Sequence, residues 1–184
     1  FSAADDYAVV DGTAELTLDL DQVERAHGLS ADPEDVATIE LQLPLPITGT
    51  RHAFDETLID DFSAHPWPHL PVELRLQVRD AADQVSDLEV VTFNLPARRF
   101  FDPMANALIE MRRDLLWSRE NAPRVAQLMR AISHRPDEGV FRKDKDYLRL
   151  RTILRHLERV LPEGLPEKDR ISITDELWAF AIEL

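Results

Sequence analysis

Cysteine is absent from all 184 residues. That excludes disulfides, thiolate metal sites and a cysteine nucleophile, and it suits a reducing or an oxidising compartment equally. Glycine is scarce, with five in the chain. There is no phosphate-cradling glycine loop, no Gly-x-Ser-x-Gly elbow and no His-Glu-x-x-His pair. No apolar run reaches the ~18 residues of a membrane helix, and no signal-peptide pattern is visible. Lysine is missing from the first hundred residues, which carry 20 Asp and Glu against six Arg. Residues 101–184 carry 15 acidic and 15 basic residues, so the whole net charge of −14 sits in the first part. Phosphate binding draws on an excess of Lys and Arg, so nucleic acid is not expected as a partner, and an anionic membrane surface would repel this charge. With 44% apolar residues the chain can bury a core and is too hydrophobic for a disordered segment.

What is present changes character near Phe100. Before it, apolar residues alternate with polar ones, the period of a half-buried strand. Leu16, Leu18 and Leu20 alternate in one run, and Ile39, Leu41 and Leu43 in a second. Val72, Leu74, Leu76 and Val78 alternate in a third, with a turn over Asp80 to Asp83 and a return strand over Val85 to Leu95. Phe54 to Phe62 reads as a further strand or short helix, and Asp21 to Asp35 as a loop or frayed helix. Short strands with one apolar face over ~100 residues predict an immunoglobulin-like β-sandwich without the core disulfide.

After Phe100 the period becomes helical. Asp102-Pro103 is a helix start, with Met104, Leu108, Met111 and Leu115 along one stripe. A second helix is expected from Asn121, broken by Arg135, Pro136 and Gly139, and a third from Asp144, stopped by Pro162, Gly164 and Pro166. Ser172 or Thr174 is expected to cap a fourth. The fold class is thus α+β: an acidic all-β sandwich over residues 1–98, then an all-α small helical bundle over 102–184. The chain begins without Met and ends in the apolar run Leu177, Trp178, Phe180, Ile182, Leu184. A piece of a longer protein is expected, truncated at its C-terminus, with an apolar patch on the last helix covered by further domains or a partner.

Candidate sites are few. Asp5, Asp6, Asp80 and Asp83 could converge at one end of a sandwich and offer oxygens to calcium. Against this, Asp is common in turns because its side chain bonds nearby backbone, and no complete calcium loop is present. His65 and His69 frame Pro66-Trp67-Pro68, and two prolines forbid the helix that would aim both imidazoles at one metal. A turn that packs Trp67 on a strand is the simpler reading. Trp67, Trp178 and Phe180 are the candidate contacts for a partner. Basic residues from Arg142 to Arg159 interleave with Asp144, Asp146 and Glu158, as on a solvated helix face. Nothing here calls for a catalytic residue or a cofactor, and no enzymatic activity is expected.

Asp5-Asp6-Tyr7, His65-Pro-Trp-Pro-His69, the run Arg98 to Trp117 and Leu177-Trp178 together resemble an alphaproteobacterial family of long membrane-anchored proteins, domain of unknown function 4175. The similarity spans all 184 residues. Members usually have glycine after the Asp-Asp-Tyr triplet, where this chain has Ala8. The resemblance implies membrane helices upstream and display of this region on the periplasmic side of a bacterial inner membrane. It implies no activity and no site residues. The expected role is a non-catalytic interaction or scaffold region whose partner is another protein or a further domain of the same chain. The alternative is a calcium- or glycan-binding sandwich.

Overall fold

A computed structural model describes residues 1–136 and 140–184; Gly139, expected to help end the second helix, lies outside the described residues. The alternating segments form an antiparallel sheet of four strands in the order β3-β2-β5-β6. Its strands are β2 (Val9–Leu18), β3 (Ile39–Gln42), β5 (Pro71–Asp80) and β6 (Glu89–Asn94). The register places like with like. Leu16 lies between Leu74 and Ile39, Ala14 between Leu76 and Leu41, and Val72 opposite Phe93, so one face is apolar. Thr13, Glu15 and Thr17 meet Gln77, Arg75 and Glu73 on the other. A separate two-stranded ribbon pairs β1 (Ser2–Ala4) with β4 (Ala53–Asp55). An immunoglobulin-like sandwich needs about seven strands in two facing sheets; the described residues supply six, two of them in the ribbon.

The helical part follows its caps and stripes. Asp102 Oδ1 accepts hydrogen bonds from the amides of Met104 and Ala105, at 2.8 and 3.3 Å, and starts α1 (Pro103–Trp117). Helices α2 (Ala122–Ile132), α3 (Asp144–Val160) and α4 (Glu167–Glu183) complete it. Leu108, Leu115, Val125, Met129, Leu154 and Leu177 are fully buried in one shared core. Gly164, at φ +74, ends the turn after α3 in the left-handed conformation that glycine takes without strain. The fourth helix starts earlier than expected. Neither Ser172 nor Thr174 caps it: Pro166 holds that position, Glu167 and Asp169 fill the first turn, and Thr174 bonds the Ile171 carbonyl inside the helix. Acidic side chains at the positive end of the helix dipole make Glu167 a suitable start.

Two compact units result. One comprises residues 1–23 and 36–97, the other residues 24–35 and 98–184. The second unit is therefore not the uninterrupted stretch 102–184: a twelve-residue strap inserted between β2 and β3 packs with the helices. The charge separation between the halves persists in the units. The sheet unit carries 16 Asp and Glu against three Arg, a net of −13, and the helical unit holds the remaining −1.

One strained residue bears on the sheet unit. Ala8 has φ +68, where a Cβ crowds the backbone at a cost of about 1–2 kcal/mol. Glycine escapes that strain and gives back part of the gain through its freer unfolded chain. Ala8→Gly is expected to stabilise the sheet unit by up to about 1 kcal/mol. Urea unfolding followed by a sheet-unit probe such as Trp67 fluorescence tests this; an unchanged or lowered midpoint would contradict it.

Candidate functional site

The four aspartates proposed for calcium lie in or beside turns, Asp6 in the turn that follows Asp5. Asp5 Oδ1 accepts from the Tyr7 amide at 2.8 Å. Asp80 is buried at the end of β5, and its Oδ1 accepts from the amides of Ala82 and Gln84 at 2.9 and 2.7 Å. Asp83, left-handed at φ +61, faces Arg79 at 3.7 Å. Among the described residues, no group of three or more His, Asp or Glu is placed to hold one metal ion.

The three aromatic contact candidates are largely spent inside the protein. Trp67 is 2% exposed, stacked edge-to-face on His65 at 4.6 Å, in the turn where both prolines sit. Phe180 is 1% exposed, beneath the Arg149 guanidinium. Trp178 lies between the Phe100 ring, 5.9 Å away, and the Arg112 guanidinium, 5.2 Å from its centroid. Burial pushes the Arg112 pKa down while Asp175 opposes the shift, and the indole face gives the desolvated cation a partner. The apolar run on α4 is accordingly covered for the most part: Leu177 and Ala181 join the core, while Ile171 and Ile182 remain exposed. Phe100 packs on the helical core and Phe101 is 91% exposed. The basic stretch pairs with carboxylates outside itself, Arg149 with Glu183 and Arg142 with Asp102, and not with the interleaved acids in these cases.

The polar centre of the helical unit lies where the strap meets α1, a place the sequence did not mark. The Trp117 indole N–H donates to the Ala31 carbonyl at 2.8 Å, and the Glu34 amide donates to the Trp117 carbonyl at 2.8 Å. Asn121 Nδ2 donates to the carbonyls of Gly28 and Asp114, both at 2.8 Å. The Arg119 amide and guanidinium both donate to the Glu34 carboxylate, with Arg170 at 3.7 Å. Burial pushes the Glu34 pKa up, but the bonds and charges of Arg119 and Arg170 outweigh it and leave the carboxyl below its usual value. Asp114 is the reverse case. Its burial outweighs the pull of Arg124, 2.6 Å away, and of Arg113, and its pKa is raised.

Beside Asp114 a half-open recess of about 270 Å³ is lined by His27, Glu110, Met111, Arg124 and Leu128, among others. His27 holds φ +53 at the start of the turn His27–Ser30, whose Gly28 and Leu29 are buried. A raised carboxyl near an imidazole can signal acid–base chemistry. Here Asp114 Oδ2 is committed to Arg124 and the carboxylate abuts the strap backbone at Gly28, so the group locks two segments together. No described helix is long and apolar enough to cross a membrane.

The sheet unit offers a different feature. Strand β6 is an edge, and around it Val85, Leu88, Val90 and Val91 are 56%, 51%, 47% and 45% exposed. Single exposed aliphatics are ordinary; four within seven residues along an unpaired strand edge are not.

No curated protein and no solved structure matches the chain. A family model does, over residues 1–184, described as a domain of unknown function. With the match running from the first strand to the last helix, the chain belongs to the DUF4175 family.

Proposed function

We propose that this chain is a non-catalytic interaction and scaffold region of a membrane-anchored envelope protein, facing the periplasm. The observation that carries the reading is the apolar, unpaired edge at β6. In the helical unit, polar residues tie the strap to α1 and α2. The partner is a protein or a further domain of the same chain.

The test is site-specific photo-crosslinking in cells that make the full-length protein. A crosslinker at Val90 is expected to give discrete polypeptide adducts, and one at Ile47, a fully exposed loop residue, none. Equal or absent labelling at both positions would remove the support for an interaction surface. Calorimetric titration with calcium and with cell-wall fragments is expected to give no binding heat; a saturable heat from either would move the assignment to a calcium- or glycan-binding domain.

A further inference from the structure

We infer that β6 is a docking edge for an extended, basic segment of a partner polypeptide, which adds to the sheet as a fifth strand. The inference rests on the interaction reading above and names the chemistry of the partner.

The backbone sets the geometry. The Asp19 amide donates to the Pro71 carbonyl, so Pro71 faces β2. Alternation then turns Val72, Leu74 and Leu76 toward β6. The Ser86 amide donates to the Val78 carbonyl and the Leu95 amide to the Leu70 carbonyl, as this phase requires. In β6 the inward residues are therefore Glu89, Val91 and Phe93, and the main-chain groups of Val90, Thr92 and Asn94 point away from the sheet. Among the described residues no strand lies beyond β6. An incoming strand would find alternate donors and acceptors, with exposed valines on both faces to pack against.

Charge selects the occupant. A second copy would bring together two sheet units of −13 each, and Asp87 and Glu89 lie on the edge itself. The three arginines of the unit give little back: Arg75 is paired with Glu73, Arg79 with Asp11, and Arg51 reaches the Pro46 carbonyl. Among the described residues of this unit no lysine is present to blunt the edge, although lysine is a common guard of exposed strands. A segment with Lys or Arg opposite Asp87 and Glu89, alternating with an aliphatic residue opposite Val90, satisfies both the edge and the field.

The experiment uses the full chain and a blocked ten-residue peptide alternating Lys and Val. One control peptide carries Glu in place of Lys, and another is N-methylated at every second residue. The Lys–Val peptide is expected to bind and to slow hydrogen exchange of the Val90 and Thr92 amides. Val90→Pro removes an outward donor that β5 does not use, so the sheet should persist, as the β2 and β5 amide shifts will show. It is expected to weaken the peptide by about tenfold, roughly 1.4 kcal/mol. The Glu–Val and N-methylated peptides should bind weakly or not at all. Binding unaffected by Val90→Pro and by N-methylation would mean adsorption to the acidic surface and would overturn the inference. Protection of Val90 and Thr92 that rises with protein concentration, without peptide, would assign the edge to a second copy and also overturn it. If Val90 crosslinks in cells but the Lys–Val peptide fails, the basic-strand partner is wrong and the interaction surface stands. If neither occurs, both readings fall.

Discussion

Trp117→Ala is expected to destabilise the helical unit by about 3–5 kcal/mol, the cost of removing a large buried aromatic. Trp117 is 2% exposed and closes the C-terminal end of α1, so the cavity cannot fill with a neighbouring loop at no cost. Its indole also holds the strap, and truncation leaves the Ala31 carbonyl without that donor. A lost hydrogen bond of this kind contributes about 1 kcal/mol. Trp117→Phe separates the two effects: it keeps most of the packing and loses the bond. The measurement is urea unfolding followed by helical ellipticity, together with limited trypsin digestion. Arg25 lies in the strap, with its guanidinium folded onto the Leu29 and Ala31 carbonyls. Its peptide bond should be cut faster in Trp117→Ala, and to an intermediate degree in Trp117→Phe. Wild-type stability and wild-type resistance at Arg25 in the alanine variant would show that the strap is not held there.

That strap marks the limit of what the sequence discloses. The β5–β6 hairpin was legible because Val72 to Val78 alternate cleanly and Asp80 supplies the turn. The start of α1 was legible because Asp102-Pro103 is a cap in two residues. Both signals are local. Contacts that hold the strap include ones spanning 85, 86 and 93 residues of sequence, and two of these end on the backbone carbonyls of Gly28 and Ala31. A carbonyl looks the same in every residue, so no pattern in residues 24–35 announces the docking. The start of α4 was missed because Ser and Thr are the usual caps, whereas here Leu165 at φ +53 and Pro166 set the entry. Trp67 and Phe180 illustrate a different loss. An aromatic residue is as much at home in a core as at an interface, and only burial distinguishes the two. The exposed β6 edge was hidden for a related reason: alternation identifies a strand but does not say whether a neighbour pairs with its outer side.

Gly28→Ala is expected to be the most damaging small substitution in the chain, at about 2–3 kcal/mol, near the upper end for overpacking by one methyl group. The requirement at Gly28 is for space and not for an unusual backbone angle. A Cβ there would overlap Cγ, Oδ1 and Oδ2 of Asp114, closer than real Cβ contacts occur. Asp114 has little room to yield, because it is 3% exposed and held by Arg124. The strap would have to move instead, and it would carry the Gly28 carbonyl away from Asn121, leaving a buried amide donor short of one partner. This mechanism makes a prediction that overall destabilisation alone cannot. If the clash is with the Asp114 carboxyl, Asp114→Ala should absorb most of the effect of Gly28→Ala, even though it leaves Arg124 without its partner. The double variant should then be more stable than the sum of the single effects implies, by at least about 1 kcal/mol of coupling, as expected for residues in direct contact. Urea unfolding of the four proteins in the cycle measures this. Additive effects would show that Gly28 is required for some reason other than its contact with Asp114, and the account of how the strap is locked onto α1 would fail with it.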